Sequence, residues 1–257
     1  MNTPVAAGAR HSSQGVQATL SRYATGTEPN MAASLARPTA VGGVSATSSF
    51  NWSGYATVSS TKRFFTRVSA SWTVPKVTCT TEDRLAAVWV GLDGFSDKTV
   101  EQDGTTSQCY EGKPVYYSWY EMYPAGSVAV GKTVKPGDKI TASVVRTGTS
   151  YAIKVTDATT AGNNISLSET CSSCLDTSAE WIIERPAYSV GVAPLAVFNS
   201  VTVSNAAVVG GSKHGTIGTF TAYRISMIDA TQAYYLATMS GLNKAGNLFT
   251  ATWKNSW

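Results

Sequence analysis

An all-β fold, a two-sheet antiparallel β-sandwich, is the architecture this sequence predicts. Segment after segment alternates apolar and polar residues with a period of two, the pattern of half-buried strands. Gly, Asn and Asp punctuate these runs, no βαβ alternation appears, and no convincing amphipathic helix exceeds two turns. Of 257 residues, 43% are hydrophobic and only 14% charged, against roughly 25% charged in ordinary soluble domains. Ser, Thr, Gly and Tyr fill the difference, which disfavours a helical bundle or a coiled coil.

Residues 1–46 differ from the rest. They are rich in Ala, Ser, Thr and Gly, lack Trp and Phe, and hold no periodicity. Such a segment is a disordered tail or a prosegment covering a site. No charged stretch followed by an apolar one opens the chain as a secretion signal would. A prosegment would be removed between about Leu35 and Ser49, in the exposed link to the first aromatic strand. Residues 47–257 then form one domain, with neither an internal repeat nor a linker.

The strands follow in order. In Thr66–Val74, Val68, Ala70, Trp72 and Val74 share one face and Arg67, Ser69, Ser71 and Thr73 the other. Lys139–Arg146 and Tyr151–Asp157 alternate around Thr147-Gly148-Thr149, a hairpin pattern. Phe198–Ser204, Thr219–Met227, Ala233–Met239 and Asn247–Trp253 complete the series.

Several function classes are poorly supported. Apolar runs such as Leu85–Leu92 fall short of the ~18 residues of a membrane span. The net charge of +4 comes from scattered residues, with no basic stripe for nucleic acid. Only two histidines occur, His11 in the leader and His214 in a Gly-rich loop, so a Ser-His-Asp or Cys-His engine would rest on His214. Four cysteines in such a chain suggest two disulfides and an oxidising, extracellular compartment. Three pairings are open, and Cys79–Cys109 with Cys171–Cys174 is favoured. A single C-x-x-C is weak evidence for zinc, and outside a βαβ context it suggests a small surface staple rather than a redox centre.

Acids sit inside strands beside large aromatics. Trp89, Gly91 and Asp93 share a face, as do Val115, Tyr117, Trp119, Glu121 and Tyr123, and again Glu180, Ile182 and Glu184. If these strands are neighbours, they line an open groove for an extended polymer. A glycan would stack on the aromatics and be cut by paired carboxylates. A peptide would be cut by an activated water. Ordinary solvated strand residues are the plainer alternative for any single acid.

The segments Asn51-Trp52-Ser53-Gly54-Tyr55, Val88-Trp89-Val90-Gly91-Leu92-Asp93-Gly94, Val100-Glu101-Gln102-Asp103-Gly104, Tyr117-Ser118-Trp119-Tyr120-Glu121-Met122-Tyr123-Pro124 and Ala179-Glu180-Trp181-Ile182-Ile183-Glu184 occur in the order and approximate spacing of the glutamic peptidases, or eqolisins. A further segment, Phe198 to Ala206, extends the resemblance over roughly residues 50–206. The resemblance implies a concanavalin A-like sandwich and acid endopeptidase activity by a Gln/Glu pair. Those residues match Gln102 and Glu184, while Trp52, Trp89, Asp93 and Glu121 match positions lining the family's groove. It implies no metal and no cofactor, polypeptide substrates, insensitivity to pepstatin, and a secreted monomer.

Elementary chemistry suits that pair. A carboxylate takes a proton from water as it attacks the scissile carbonyl, then returns it to the leaving amine. An amide N–H stabilises the oxyanion and keeps its proton at any pH. Imidazole would be protonated in acid, whereas a Glu of reference pKa ~4.3 straddles that range. Asp93 or Glu121 would perturb or orient Glu184. The chain departs from the family in its basic charge balance and in Glu101, an acid where the family often has an apolar residue. Alternation turns Glu101 away from Gln102, where burial would be costly, so a strand-edge position is expected. A carbohydrate-active or lectin-like sandwich, or a non-catalytic peptide-binding homologue, are the alternatives.

Overall fold

The computed structural model describes residues 32–33, 43–130, 134–160, 162–188 and 191–257. Most of the expected leader therefore lies outside the described residues. The longer strands are β1 (Val44–Ser49), β2 (Trp52–Val58), β3 (Phe65–Thr73), β4 (Arg84–Leu92), β5 (Val100–Tyr110), β6 (Lys113–Tyr123) and β7 (Lys139–Thr147). They continue as β8 (Ser150–Asp157), β9 (Ile165–Thr170), β10 (Ser178–Glu184), β11 (Ser200–Gly210), β12 (Ala222–Ile228), β13 (Tyr235–Met239) and β14 (Phe249–Trp253). Among the described residues the only helical element is a 3₁₀ turn at Ile217–Thr219. The fold is all-β, as the alternation predicts.

Pairing arranges the strands in two runs. One runs β1, β12, β2, β10, β4, β5, β6. The other runs β9, β8, β7, β3, β11, β14, β13. They meet where Met227 of β12 pairs with Ala237 of β13, so hydrogen bonding is continuous. The expected two sheets are thus one sheet folded into two layers. β1 runs parallel to β12, departing from the purely antiparallel expectation. This strand also begins at Val44, inside the segment read as leader.

Apolar residues facing between the layers form the main core. Val88, Val90, Trp181 and Ile183 from the first run pack in one cluster with Val68, Ala70, Trp72, Ile140 and Val144 from the second. The polar atoms of the core aromatics are satisfied across the gap. Trp181 Nε1–H donates to the Ser69 carbonyl at 3.0 Å, and Trp72 Nε1–H to Thr105 Oγ1 at 3.0 Å. Each indole joins the layers at a fixed position, because a buried N–H left unpaired is costly. The β7–β8 hairpin closes with Thr147 opposite Ser150 and Gly148 at φ 61, the residue a type II′ turn requires at that position. Both disulfides are those favoured from sequence, with Cα–Cα distances of 5.4 Å for Cys79–Cys109 and 5.7 Å for Cys171–Cys174.

The other face of the first run carries a second aromatic cluster that includes Trp52, Trp89, Tyr117, Trp119, Ile182 and Tyr223. Gly104 of β5 makes room for it. A Cβ there would lie 2.2 Å from the Val88 carbonyl oxygen and 2.8 Å from Trp89 Cα, both backbone atoms that cannot swing aside. Gly104→Ala is expected to cost about 2 kcal/mol or more by denaturant unfolding. Gly241→Ala, whose Cβ meets nothing within 4 Å, is expected to stay within about 0.5 kcal/mol. Equal stabilities would mean the sheet relaxes freely around Trp89.

Candidate active site

Strand register brings the candidate residues to one face. Glu184 pairs with both Trp52 and Ala87, Ile182 with Trp89, Trp89 with Gly104, Gly91 with Gln102, and Gln102 with Glu121. Paired residues of an antiparallel ladder point to the same side, and alternate residues of a strand do too. Trp52, Trp89, Gln102, Glu121 and Glu184 therefore share the face of the second aromatic cluster.

Glu184 is held by two donors. Trp89 Nε1–H donates to Oε2 at 2.7 Å and Asn51 Nδ2–H donates to Oε1 at 3.3 Å. Both favour the ionised carboxylate. The Asn51 amide is itself oriented, because Ser49 Oγ–H donates to its Oδ1 at 3.1 Å and so turns its nitrogen toward Glu184. Asn51 was not singled out from sequence. Its signal was adjacency to Trp52, but it lies in a bend between β1 and β2 where alternation says nothing about direction.

Gln102 Nε2–H donates to Glu121 Oε2 at 2.6 Å. Gln102 Oε1 and the indole nitrogens of Trp52 and Trp119 have no partner among the described residues. Burial pushes Glu121 up to about 8, with the charge of Glu184 as the next cause. Trp52 meets Trp89 edge-on, ring centroids 5.1 Å apart at 79°. A cavity of about 600 Å³ lies alongside, lined in part by Asn51, Phe50, Arg185 and Trp257.

Asp93 does not join this group. It follows β4 at φ 67, is fully buried, and accepts backbone N–H groups from Leu175 (2.8 Å), Asp176 (2.6 Å) and Thr177 (2.7 Å). It ties the loop before β10 to the end of β4. Burial, then the neighbouring Asp97, pushes it up to about 7 despite those donors. Glu101 is not at a strand edge but fully buried, and burial, with Asp93, Asp176 and Asp97 nearby, pushes it up to about 10. Glu180 is also fully buried and is raised well above the usual carboxylate range, chiefly by burial.

One carboxyl oxygen each of Asp93, Glu101 and Asp176 lie within 4.8 Å of one another. Asp93 is occupied by N–H donors, and Asp176 by Arg63 at 3.4 Å, Arg146 at 3.0 Å and the Tyr151 hydroxyl at 2.8 Å. Protein donors thus occupy two of the three carboxyls, Asp93 and Asp176. His214 is exposed, opposite Val209 in a short hairpin.

Comparison with known proteins supports the fold and places the chain in a family. Residues 50–247 match the model of the Peptidase A4 family. Aspergillopepsin-2 of Aspergillus niger is 29% identical over 192 residues, covering 65% of this chain and 67% of that protein. The fold is similar to scytalido-glutamic peptidase bound to a transition-state analog inhibitor, with a TM-score of 0.67, 26% identity, and coverage of 79% of this chain and 98% of that one. It is also similar to aspergilloglutamic peptidase from Aspergillus niger, with a TM-score of 0.58, 27% identity, and coverage of 66% and 99%. With most of its length matched, the chain belongs to the peptidase A4 family and is a glutamic endopeptidase.

Proposed function

We propose that the chain is a secreted acid endopeptidase in which Glu184 and Gln102 carry out hydrolysis of extended polypeptides. The observation that carries this proposal is the shared face: Glu184, held by Trp89 and Asn51, lies on the same side of the sheet as Gln102, which is anchored on Glu121. The Glu184 carboxylate takes a proton from water as the oxygen adds to the scissile carbonyl. The developing oxyanion receives an N–H of Gln102. One amide hydrogen is held by Glu121, which orients the group and leaves the second N–H for substrate. Glu184 then gives its proton to the leaving amine. Trp52 and Trp119 offer indole N–H groups to the peptide, and the cavity beside Asn51 has room for a side chain. Two disulfides support an oxidising, extracellular setting.

The leader is proposed as a prosegment, with its cleavage point moved upstream. β1 is hydrogen-bonded along β12, and its last residue, Ser49, orients Asn51. A cut within Val44–Ser49 would release the strand that positions the site, so processing belongs before Gly43. Intact mass after acid incubation is expected to give an N-terminus at or before Gly43. A fully active form starting beyond Ser49 would sink this assignment.

Glu184→Gln is expected to lower kcat/KM on an acid-denatured protein by about a thousandfold or more, and Gln102→Ala by about a hundredfold. Asn51→Ala is expected to cost about tenfold, acting through Glu184. Pepstatin should leave cleavage unchanged. A glycosidase would cleave glycans and tolerate loss of Gln102, and a binding module would bind peptide without cleaving it. Undiminished cleavage by Glu184→Gln would mean that another group is the base.

The buried acids set the pH range of stability. Asp93, Glu101 and Glu121 have folded-state values of about 7, 10 and 8, all above the unfolded value of about 4. The native state therefore binds more protons than the unfolded state. Stability is full below about pH 4 and is lost as pH rises through the folded values. Each acid held neutral costs about 1.4 kcal/mol for every pH unit between its unfolded and folded values. At about 2–4 °C per kcal/mol, the melting temperature is expected to fall by about 10 °C or more from pH 4 to pH 8. Calorimetry across that range checks it, and a flat or rising profile would contradict the buried-acid account.

A further inference from the structure

We propose that Cys171–Cys174, backed by the carboxyl group of Glu101, is a thiol–disulfide exchange centre whose substrate class is a dithiol. It lies in the loop between β9 and β10, and Glu101 points to the opposite face of β5 from Gln102, so this centre is separate from the peptidase site.

The two sulfurs have different surroundings. Cys171 is half-buried, while Cys174 is 3% exposed. The Cys174 backbone N–H donates to Cys171 Sγ at 3.0 Å. That donor would stabilise a thiolate on Cys171, the sulfur an outside reagent reaches. Behind the pair, Glu101 Oε1 lies 2.8 Å from Cys174 Sγ. In a disulfide the sulfur carries no hydrogen, so the carboxyl O–H is the donor. The second Glu101 oxygen has no partner among the described residues. A buried acid is costly, and a mere staple has no use for one. Neither sulfur of Cys79–Cys109 has such contacts among the described residues.

The surroundings keep that proton on Glu101. Asp93, Asp97 and Asp176 oppose its ionisation, and Arg63 favours it less strongly. Tyr151 and Glu180 also feel its charge. The loop is anchored on both sides of the sulfurs: the Cys171 N–H donates to the Thr149 carbonyl at 2.9 Å, and Arg63 donates to the Cys174 carbonyl at 3.2 Å. The bond can therefore open without releasing the loop.

Exchange balances as follows. A thiolate of the dithiol attacks Cys171 Sγ, forming a mixed disulfide. The Cys171–Cys174 bond breaks, and Cys174 leaves with the electron pair and takes the proton of Glu101. The reagent's second thiol loses its proton to solvent and attacks the reagent sulfur of the mixed disulfide. Cys171 leaves as a thiolate held by the Cys174 N–H, and solvent returns a proton to Glu101. The protein gains two electrons as the dithiol becomes a disulfide.

The folded full-length chain is treated with limiting dithiothreitol across pH 6–9, quenched by alkylation, and mapped by peptide mass. Cys171–Cys174 is expected to open at least about tenfold faster than Cys79–Cys109, since the latter lacks an activated sulfur. Exposure alone would also favour this order, so two further readouts decide. In Cys174→Ser, alkylation of Cys171 is expected to titrate below the free-thiol value of about 8.5. In Glu101→Gln, opening is expected to slow by about tenfold with an altered pH profile. A Cys171 thiol titrating at or above the free value, or a Glu101→Gln rate and pH profile equal to those of the unsubstituted chain, would overturn the proposal. The Cys171 titration stands even if Glu101→Gln fails to fold.

Discussion

The register of β10 against β4 is the constraint on which the rest depends. Ile182 opposite Trp89 sets Glu184 beyond the indole ring, within reach of its N–H. The same pleat turns Trp181 and Ile183 into the interlayer core. A slip of one residue would exchange these faces, burying Glu184 among the apolar residues and exposing two core side chains. Core packing and the position of the proposed base therefore depend on the same hydrogen-bond ladder. The indole of Trp181, fixed to the Ser69 carbonyl in the other layer, resists that slip from behind.

Acids occur on both sides of this sheet, and their environments assign them different work. Glu184 has two donors aimed at its oxygens. Glu121 receives the Gln102 amide and the Ser127 backbone N–H, yet burial and the field of Glu184 favour its neutral form. Asp93 accepts three backbone N–H groups and ties the loop preceding β10. Glu101 has a sulfur for a neighbour and no cation bonded to it among the described residues. A native state that keeps several buried carboxyls protonated is most stable in acid. The basic net charge does not conflict with this, because net charge governs solubility and attraction whereas these values are set locally.

The loop from Cys171 to Thr177 links the two chemistries. Its first part holds the disulfide against Glu101, and its last part presents the N–H groups that hold Asp93. β10 begins at the next residue and ends on Glu184. The sulfurs and Glu184, the proposed base, thus share one continuous segment, with Glu101 and Glu184 on opposite sides of the sheet.

Much of this was legible along the chain. Period-two alternation located most of the strands it named to within a few residues, because half-burial imposes that pattern locally, though β11 continues past Ser204 to Gly210. Ordered motifs placed Gln102, Glu184, Trp52, Trp89 and Glu121, because each lies on a strand whose pleat dictates its direction. Other features were not legible. Asp93 reads as a continuation of its strand, but φ 67 turns it out of the pleat and into the following loop's amides. Asn51 lies in a bend, and the β2–β10 pairing, which sets Trp52 opposite Glu184, carries it there. The burial of Glu101, and the sulfur beside it, depend on residues 73 positions away. Local alternation shows which side of a strand a residue faces, but what waits on that side is decided by strand pairing and layer packing across the whole chain.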